Sequence, residues 1–166
     1  LGAAASPFDG LIALDGNLTE ALLAEIAANP AFAVADLRVA PASPGKATRL
    51  RALLRHPGAT FYVNLEEAGL ILGSVFTSAE RAAEALVEAG LAQALVTDGG
   101  NLAAEGTAEG IVMARPPEVA IARVTGAGDT FMAAHIAAQA PGLTGADALQ
   151  TALNAAATYV SGVDPG

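Results

Sequence analysis

Val119-Ala120-Ile121-Ala122-Arg123-Val124 runs into Thr125-Gly126-Ala127-Gly128-Asp129 and then into Thr130-Phe131-Met132-Ala133-Ala134-His135-Ile136-Ala137-Ala138. Alternating β-branched residues make the first segment read as a strand, and the apolar third segment reads as a helix. The glycines between them allow a tight turn that gathers successive N–H groups. At a helix N-terminus such groups lack partners, and with the helix dipole they favour an anion. Asp129 stands in the first turn, beside that anion. An amide-lined anion hole with a carboxylate at its rim suits phosphoryl transfer to a hydroxyl. The same residues have a plainer use, because Asp is also a favoured helix N-cap.

Outward from this stretch, strand and helix signals alternate. Strands are expected at Gly10–Asp15, Phe32–Asp36, Thr60–Val63 and Ala94–Thr97. Helices are expected at Leu18–Ala28, Gly45–Leu54, Leu65–Leu72 and Ser78–Ala89, the last closed by Gly90. The second of these carries Lys46, Arg49, Arg51 and Arg55 and reads as a basic amphipathic helix. Leu102–Glu105 and Gly110–Ala114 suggest a hairpin. After the glycine turn come a helix from Asp129 to about Gln139 and another from Thr144 to about Val160. This order implies a three-layer α/β/α fold around a mainly parallel sheet, in one domain spanning residues 1–166. Ligands in such sheets bind beyond the C-terminal ends of the strands. Asn64, Asp98-Gly99 and the glycine turn all follow strands, so all are expected at that end.

The chain's 166 residues are 53% hydrophobic, enough for a substantial core. A formal net charge of −9 gives no basic face for a phosphate backbone, which argues against nucleic acid. No apolar run approaches a membrane span, and no signal peptide is evident. With no cysteine, disulfides and thiolate metal sites are excluded, which fits a cytoplasmic protein.

The glycine turn resembles the second signature of the ribokinase-like (PfkB) sugar kinase family, whose core reads Gly-Ala-Gly-Asp after a Thr. The resemblance implies that Asp129 is the catalytic base, that the amides of Gly126, Ala127 and Gly128 hold the transferring phosphate of ATP, and that Thr125 helps bind the nucleotide. Asn64-Leu65-Glu66-Glu67 is similar to the family's Asn-x-x-Glu motif, in which the Glu supports the nucleotide's magnesium ion. By chemistry alone the pair serves equally as a capping box, and the two roles are compatible. Thr97-Asp98-Gly99-Gly100 resembles the family's Thr-x-Gly phosphate loop, which gives Thr97 and Gly99 to the nucleotide; an ordinary glycine turn is the alternative. Asn154, before Ala155-Ala156-Ala157, would flank the adenine pocket or simply pack.

The match covers nearly the whole chain but only the C-terminal half of the family's fold, so the acceptor-binding lid is expected elsewhere. An uncovered sheet edge would then favour a homo-oligomer. Asp36-Leu37-Arg38 and Ser43-Pro44-Gly45-Lys46-Ala47 are similar to the pseudouridine kinase branch, with Asp36 read at a strand end. The implied substrates are ATP with Mg²⁺ and a small sugar or nucleoside. One position departs from the pattern. The family usually has Asp or Asn six residues before the catalytic Asp, where it helps hold potassium, and here Arg123 stands instead. That Arg either replaces the ion or points to solvent, so potassium use does not follow; the tail Ser161-Gly162-Val163-Asp164 is expected near the family's cation loop. His56 and His135 lack metal partners at helical spacing and read as structural. A nucleotide-binding piece without catalysis stays open. A Rossmann-type binder is disfavoured, because Asp15-Gly16-Asn17-Leu18 stands where Gly-x-Gly-x-x-Gly belongs.

Overall fold

The computed structural model describes residues 6–162, so Val163-Asp164 lies outside the described residues. Six strands form one sheet in chain order: β1 (Leu11–Asp15), β2 (Asp36–Ala40), β3 (Ala59–Asn64), β4 (Gln93–Thr97), β5 (Ala103–Thr107) and β6 (Gly110–Ala114). β1 to β4 run parallel, and β5 and β6 return as an antiparallel hairpin. Helices α1 (Glu20–Ala28), α2 (Leu65–Leu72), α3 (Ala79–Glu88), α4 (Ala127–Gln139) and α5 (Gly145–Ser161) complete the chain. The expected three-layer α/β/α fold is therefore present.

The two sheet faces follow from side-chain alternation. Leu37, Val39, Phe61, Val63, Ala94 and Val96 share the first core with Leu23, Leu50, Leu53, Ile71, Ala82 and Leu86. Tyr62, Leu95 and Ala103 point the other way and meet Phe131, Met132, Leu149 and Leu153 of α4 and α5. The crossovers α1, α2 and α3 thus cover one face, while α4 and α5 cover the other. Among the described residues no helix is long and apolar enough to cross a membrane.

Three expectations need correction. The second strand is Asp36–Ala40 rather than Phe32–Asp36. Pro30–Phe32 forms a 3₁₀ turn instead, with the Asn29 side chain accepting from the Ala31 N–H at 2.9 Å. Asp36 consequently opens its strand and lies far from the ligand end, so the strand-end part of the pseudouridine kinase likeness is lost. Residues Pro44–Leu53 form a 3₁₀ helix, not an amphipathic α-helix. Two of its arginines bond neighbouring carbonyls: Arg49 donates to the Gly16 carbonyl at 2.9 Å, and Arg51 to the Ile71 and Leu70 carbonyls at 2.6 and 2.8 Å. Finally, Val119–Val124 is no strand; Val119, Ile121 and Val124 are exposed. The N–H groups of Ala122 and Arg123 are used by the Val160 carbonyl at 2.9 and 3.1 Å instead of by a sheet neighbour.

A polar chain pins α4 to the sheet. Arg38 is held by Asp36 through two hydrogen bonds of 2.6 and 2.8 Å, and it donates to the Tyr62 hydroxyl at 2.9 Å and to Gln139 at 2.6 Å. With that donor satisfied, the Tyr62 proton goes to Nδ1 of the fully buried His135, 2.9 Å away. Nε2 of His135 then carries the ring proton and faces Oε2 of buried Glu105 at 3.7 Å. Gln93 donates to the other Glu105 oxygen at 2.6 Å. His135 is structural, as expected, and so is buried His56, whose Nε2 lies 2.9 Å from the Phe32 carbonyl.

Burial pushes the Tyr62 hydroxyl up from 10.0 to about 12, with Arg38 pulling the other way. A raised folded-state value means that the stabilisation is intact below the unfolded value and is lost as pH climbs through the folded one. Wild-type protein should therefore lose up to about 3 kcal/mol between roughly pH 10 and 12 that Tyr62→Phe does not lose. At neutral pH the same variant should be less stable by about 1–3 kcal/mol, because Nδ1 of His135 loses its donor. Denaturant melts of both proteins across this range check the prediction.

Candidate active site

The site is built where β3, β4 and α4 meet one end of the sheet. Asn64 closes β3 and caps α2 with no residue between them. Its Oδ1 accepts from the Glu67 N–H at 2.8 Å, and Oε2 of Glu67 accepts from the Asn64 N–H at 2.9 Å. The capping-box reading of this pair is thus realised. Glu67 is buried, and burial pushes its carboxyl above the ordinary range, with the Asn64 N–H pulling it down. Its second oxygen, Oε1, takes no part in the box.

Asn64 pairs in register with Thr97 on β4, so these two expected site residues are lateral neighbours. Gly99 turns the chain with φ +56°, a value that favours glycine. The Asn101 N–H and side chain close this turn on Asp98 at 2.9 and 3.0 Å.

α4 runs antiparallel to the strands. Its last residue, Gln139, meets Arg38, whose register partner is Thr60 near the start of β3. Phe131, in its first turns, meets the Tyr62 ring with centroids 6.3 Å apart. The helix N-terminus therefore lies at the same end of the sheet as Asn64 and Thr97. Gly126 caps it at φ +92°. The Ala127 N–H is spent on the Val124 carbonyl at 3.0 Å, and the Thr130 N–H and hydroxyl both reach the Gly126 carbonyl at 2.9 Å. Among the described residues nothing accepts from the N–H groups of Gly126, Gly128 or Asp129, as the first turn of a helix requires. The donor set thus differs from the expected Gly126, Ala127 and Gly128 in one member. Asp129 itself is exposed at the third helical position and is not the cap.

α5 brings its C-terminus to this turn. The Tyr159 hydroxyl donates to the Thr125 carbonyl at 2.9 Å. Arg123 lies over the Tyr159 ring, 4.1 Å from its centroid. Sequence reasoning noticed Arg123 only as a departure and missed Tyr159, whose role depends on the docking of α5 and leaves no local signal. Asn154 sits further back on α5, exposed, and accepts from Gln150 at 3.0 Å. No hydrogen bond joins it to Thr97, Gly99 or the Asp129 turn. No group of three His, Asp or Glu residues is arranged to hold a metal among the described residues. Two shallow depressions shared by Gln93, Thr107 and Glu109 lie near the opposite ends of the strands and contain none of these site residues.

Comparison with known proteins agrees with this fold. The pfkB family carbohydrate kinase model matches residues 5–165, and the chain belongs to that family. A carbohydrate kinase from Agrobacterium tumefaciens is 30% identical, with a TM-score of 0.72 over 93% of this chain and 48% of that one. The adenosine kinase of Sinorhizobium meliloti is 18% identical, with a TM-score of 0.76 over 98% of this chain and 54% of its own. The aminoimidazole riboside kinase of Salmonella enterica is 20% identical, with a TM-score of 0.68 over 96% and 60% respectively. The latter two share the fold. The chain spans roughly half to three-fifths of the length of these structures. No curated protein matches it.

Of the two glycines flanking Ala127, Gly126 is the less able to change. A Cβ there would come within 2.5 Å of the Tyr159 hydroxyl, at a φ that L-residues avoid. Gly126→Ala should cost about 1–3 kcal/mol through backbone strain, and more where Tyr159 is displaced. Gly128→Ala has open space and no such strain, so it should melt close to the wild type.

Proposed function

We propose that the whole protein transfers the γ-phosphate of ATP to a hydroxyl of a small sugar or nucleoside. The observation that carries this reading is the α4 N-terminus. Among the described residues, three N–H groups without protein acceptors lie there at the positive end of a helix dipole, with the exposed Asp129 carboxylate in the same turn. Phosphates meet the N–H groups of Gly126, Gly128 and Asp129, and Thr125, Thr97 and Gly99 shape the adjoining loops. Asp129 accepts the proton of the attacking hydroxyl, a modest demand when the transition state is loose. Ala127 serves by shaping the turn through its bond to Val124. Asn154 stands by the adenine.

Magnesium fits this chain as an ion held mainly by phosphate and water. Asn64 and Glu67 face the same end of the sheet, and Oε1 of Glu67 is left over from the capping box to accept from the ion's water shell. Bound there, Mg²⁺ neutralises charge on the transferring phosphate. The protein is cytoplasmic in this reading and works without nucleic acid or membrane.

A narrower reading holds for residues 1–166 alone: nucleotide binding without turnover. Leu11 on the edge strand β1 is 48% exposed, and the β1 residues opposite the core-facing Ile12 and Leu14 are all exposed, so a face expected to be covered is open. Such edges and faces invite self-association.

In the full-length protein Asp129→Asn should lower kcat by about 10²–10⁴-fold, with nucleotide affinity little changed; turnover at the wild-type level removes Asp129 from the mechanism. Glu67→Gln keeps a side chain able to cap Asn64, so its melting point should hold while the magnesium concentration for half-maximal rate rises. For the 166-residue chain, sedimentation should show oligomers, and an ADP-release assay should show no sugar-dependent turnover.

A further inference from the structure

Arg123 is the one charged residue of the α4 turn that the proposed reaction leaves without a task. It is exposed, yet its side chain is engaged on two sides. The guanidinium lies 4.1 Å from the Tyr159 ring centroid, and Nε donates to the Tyr159 carbonyl at 2.8 Å. The Ala122 and Arg123 N–H groups both reach the Val160 carbonyl, at 2.9 and 3.1 Å. These carbonyls belong to the last turn of α5, where helix carbonyls lack intrahelical donors and the dipole is negative. α5 has no basic residue of its own in that turn. Arg123 therefore supplies, from a neighbouring segment, the cation that this helix end attracts.

The engagement closes on itself. Arg123 grips Tyr159 from above, and the Tyr159 hydroxyl donates to the Thr125 carbonyl two residues further along the same segment, at 2.9 Å. Thr125 immediately precedes Gly126, and the phenol fills the space beside Gly126 where a Cβ would go. One ring thus fixes the carbonyl orientation of the peptide whose N–H opens the anion hole.

The sugar kinase family that the chain resembles holds a potassium ion next to this turn, at the position where Arg123 departs from the family pattern. Among the described residues the donor set does not suit one. Potassium replaces its hydration shell with several carbonyl oxygens. The Thr125, Tyr159 and Val160 carbonyls already accept protein hydrogen bonds, and a fixed positive charge lies beside them. We propose that Arg123 and Tyr159 are positioning residues that hold the Thr125–Gly128 turn in its phosphate-binding shape, the guanidinium standing in for a monovalent cation. The inference rests on the reading of the α4 N-terminus as a phosphate site.

The test titrates MgADP calorimetrically into the full-length protein, in potassium chloride and in tetramethylammonium chloride at equal ionic strength. Wild type, Arg123→Ala, Arg123→Lys and Tyr159→Phe are compared, and the Gly126 and Gly128 amide resonances of each are recorded without nucleotide. Wild-type affinity should agree between the salts within about twofold. Arg123→Ala should bind about tenfold more weakly, the scale of a misplaced binding group. Arg123→Lys should recover part of this loss, keeping charge but losing the planar stack. Both glycine resonances should move in Arg123→Ala and in Tyr159→Phe. A wild-type affinity that rises tenfold with potassium overturns the inference, and so does an Arg123→Ala protein that matches wild type in affinity and resonances. Absence of MgADP binding by wild type in either salt overturns the phosphate-site reading instead. The glycine resonances still decide the clamp in that case: shifted, they uphold it, and unchanged, they sink it.

Discussion

The arrangement of the candidate site depends on where α4 lies, and a hydrogen bond in the second core fixes that. His135 is fully buried and bonds the Tyr62 hydroxyl at 2.9 Å. An unpaired buried imidazole is costly, so α4 cannot slide or roll on β3 without losing this partner. Apolar packing of Phe131 and Met132 against Leu95 and Ala103 tolerates small shifts, whereas a hydrogen bond has a narrow range. Arg38 and Gln139 add a second point of attachment at the other end of the helix. Two polar contacts along a 13-residue helix set both its height and its rotation, and the first turn with Asp129 follows.

What the sequence revealed, and what it hid, divides along the range of the interactions. α2 was expected at Leu65–Leu72 and is found there, because its start is written locally in Asn64 and Glu67. The capping box, the Gly99 turn and the β5–β6 hairpin are equally local. The failures are cases where tertiary contacts override a pattern. Val119–Val124 alternates like a strand, but its N–H groups go to the end of α5, 36 residues or more further along the chain. The basic stretch around Arg49 has helical charge spacing, yet its guanidinium groups are consumed by carbonyls of distant turns. Of the candidate site, Asn64, Thr97 and Gly99 were legible at the ends of parallel strands, whereas the Asp129 turn was read from its glycines and the strand expected before it is absent. Tyr159 was not, since nothing near it in sequence tells of Thr125.

Between the two lies Ala127. Its place in the Gly-Ala-Gly run suggested a donor to the anion, but a tight turn needs one of its own amides to close, and the Ala127 N–H does so on Val124. The helix start makes good the loss by exposing the Asp129 N–H. The same residue thus offers an amide to an anion and a carboxylate to its rim. A carboxylate beside bound phosphate is repelled by it, and the helix dipole offsets part of that repulsion.

In the proposed reading, Glu67 joins a structural bond and an ionic role in one side chain. Burial raises its carboxyl because the charged form loses water. The Asn64 N–H favours the ionised form but cannot cancel that cost. Only Oε2 is tied to the cap, so the charge of the other oxygen is unsatisfied by protein. A divalent cation nearby would favour the ionised form and draw the proton off, so metal binding at this end releases a proton when Glu67 is protonated beforehand. The cap survives either state, because a protonated carboxyl still has an acceptor oxygen for the Asn64 N–H. In the proposed reading the fold therefore does not depend on the metal, while its hold on the metal would depend on pH. A residue bound rigidly by one oxygen and free at the other is suited to order water around an ion it does not enclose.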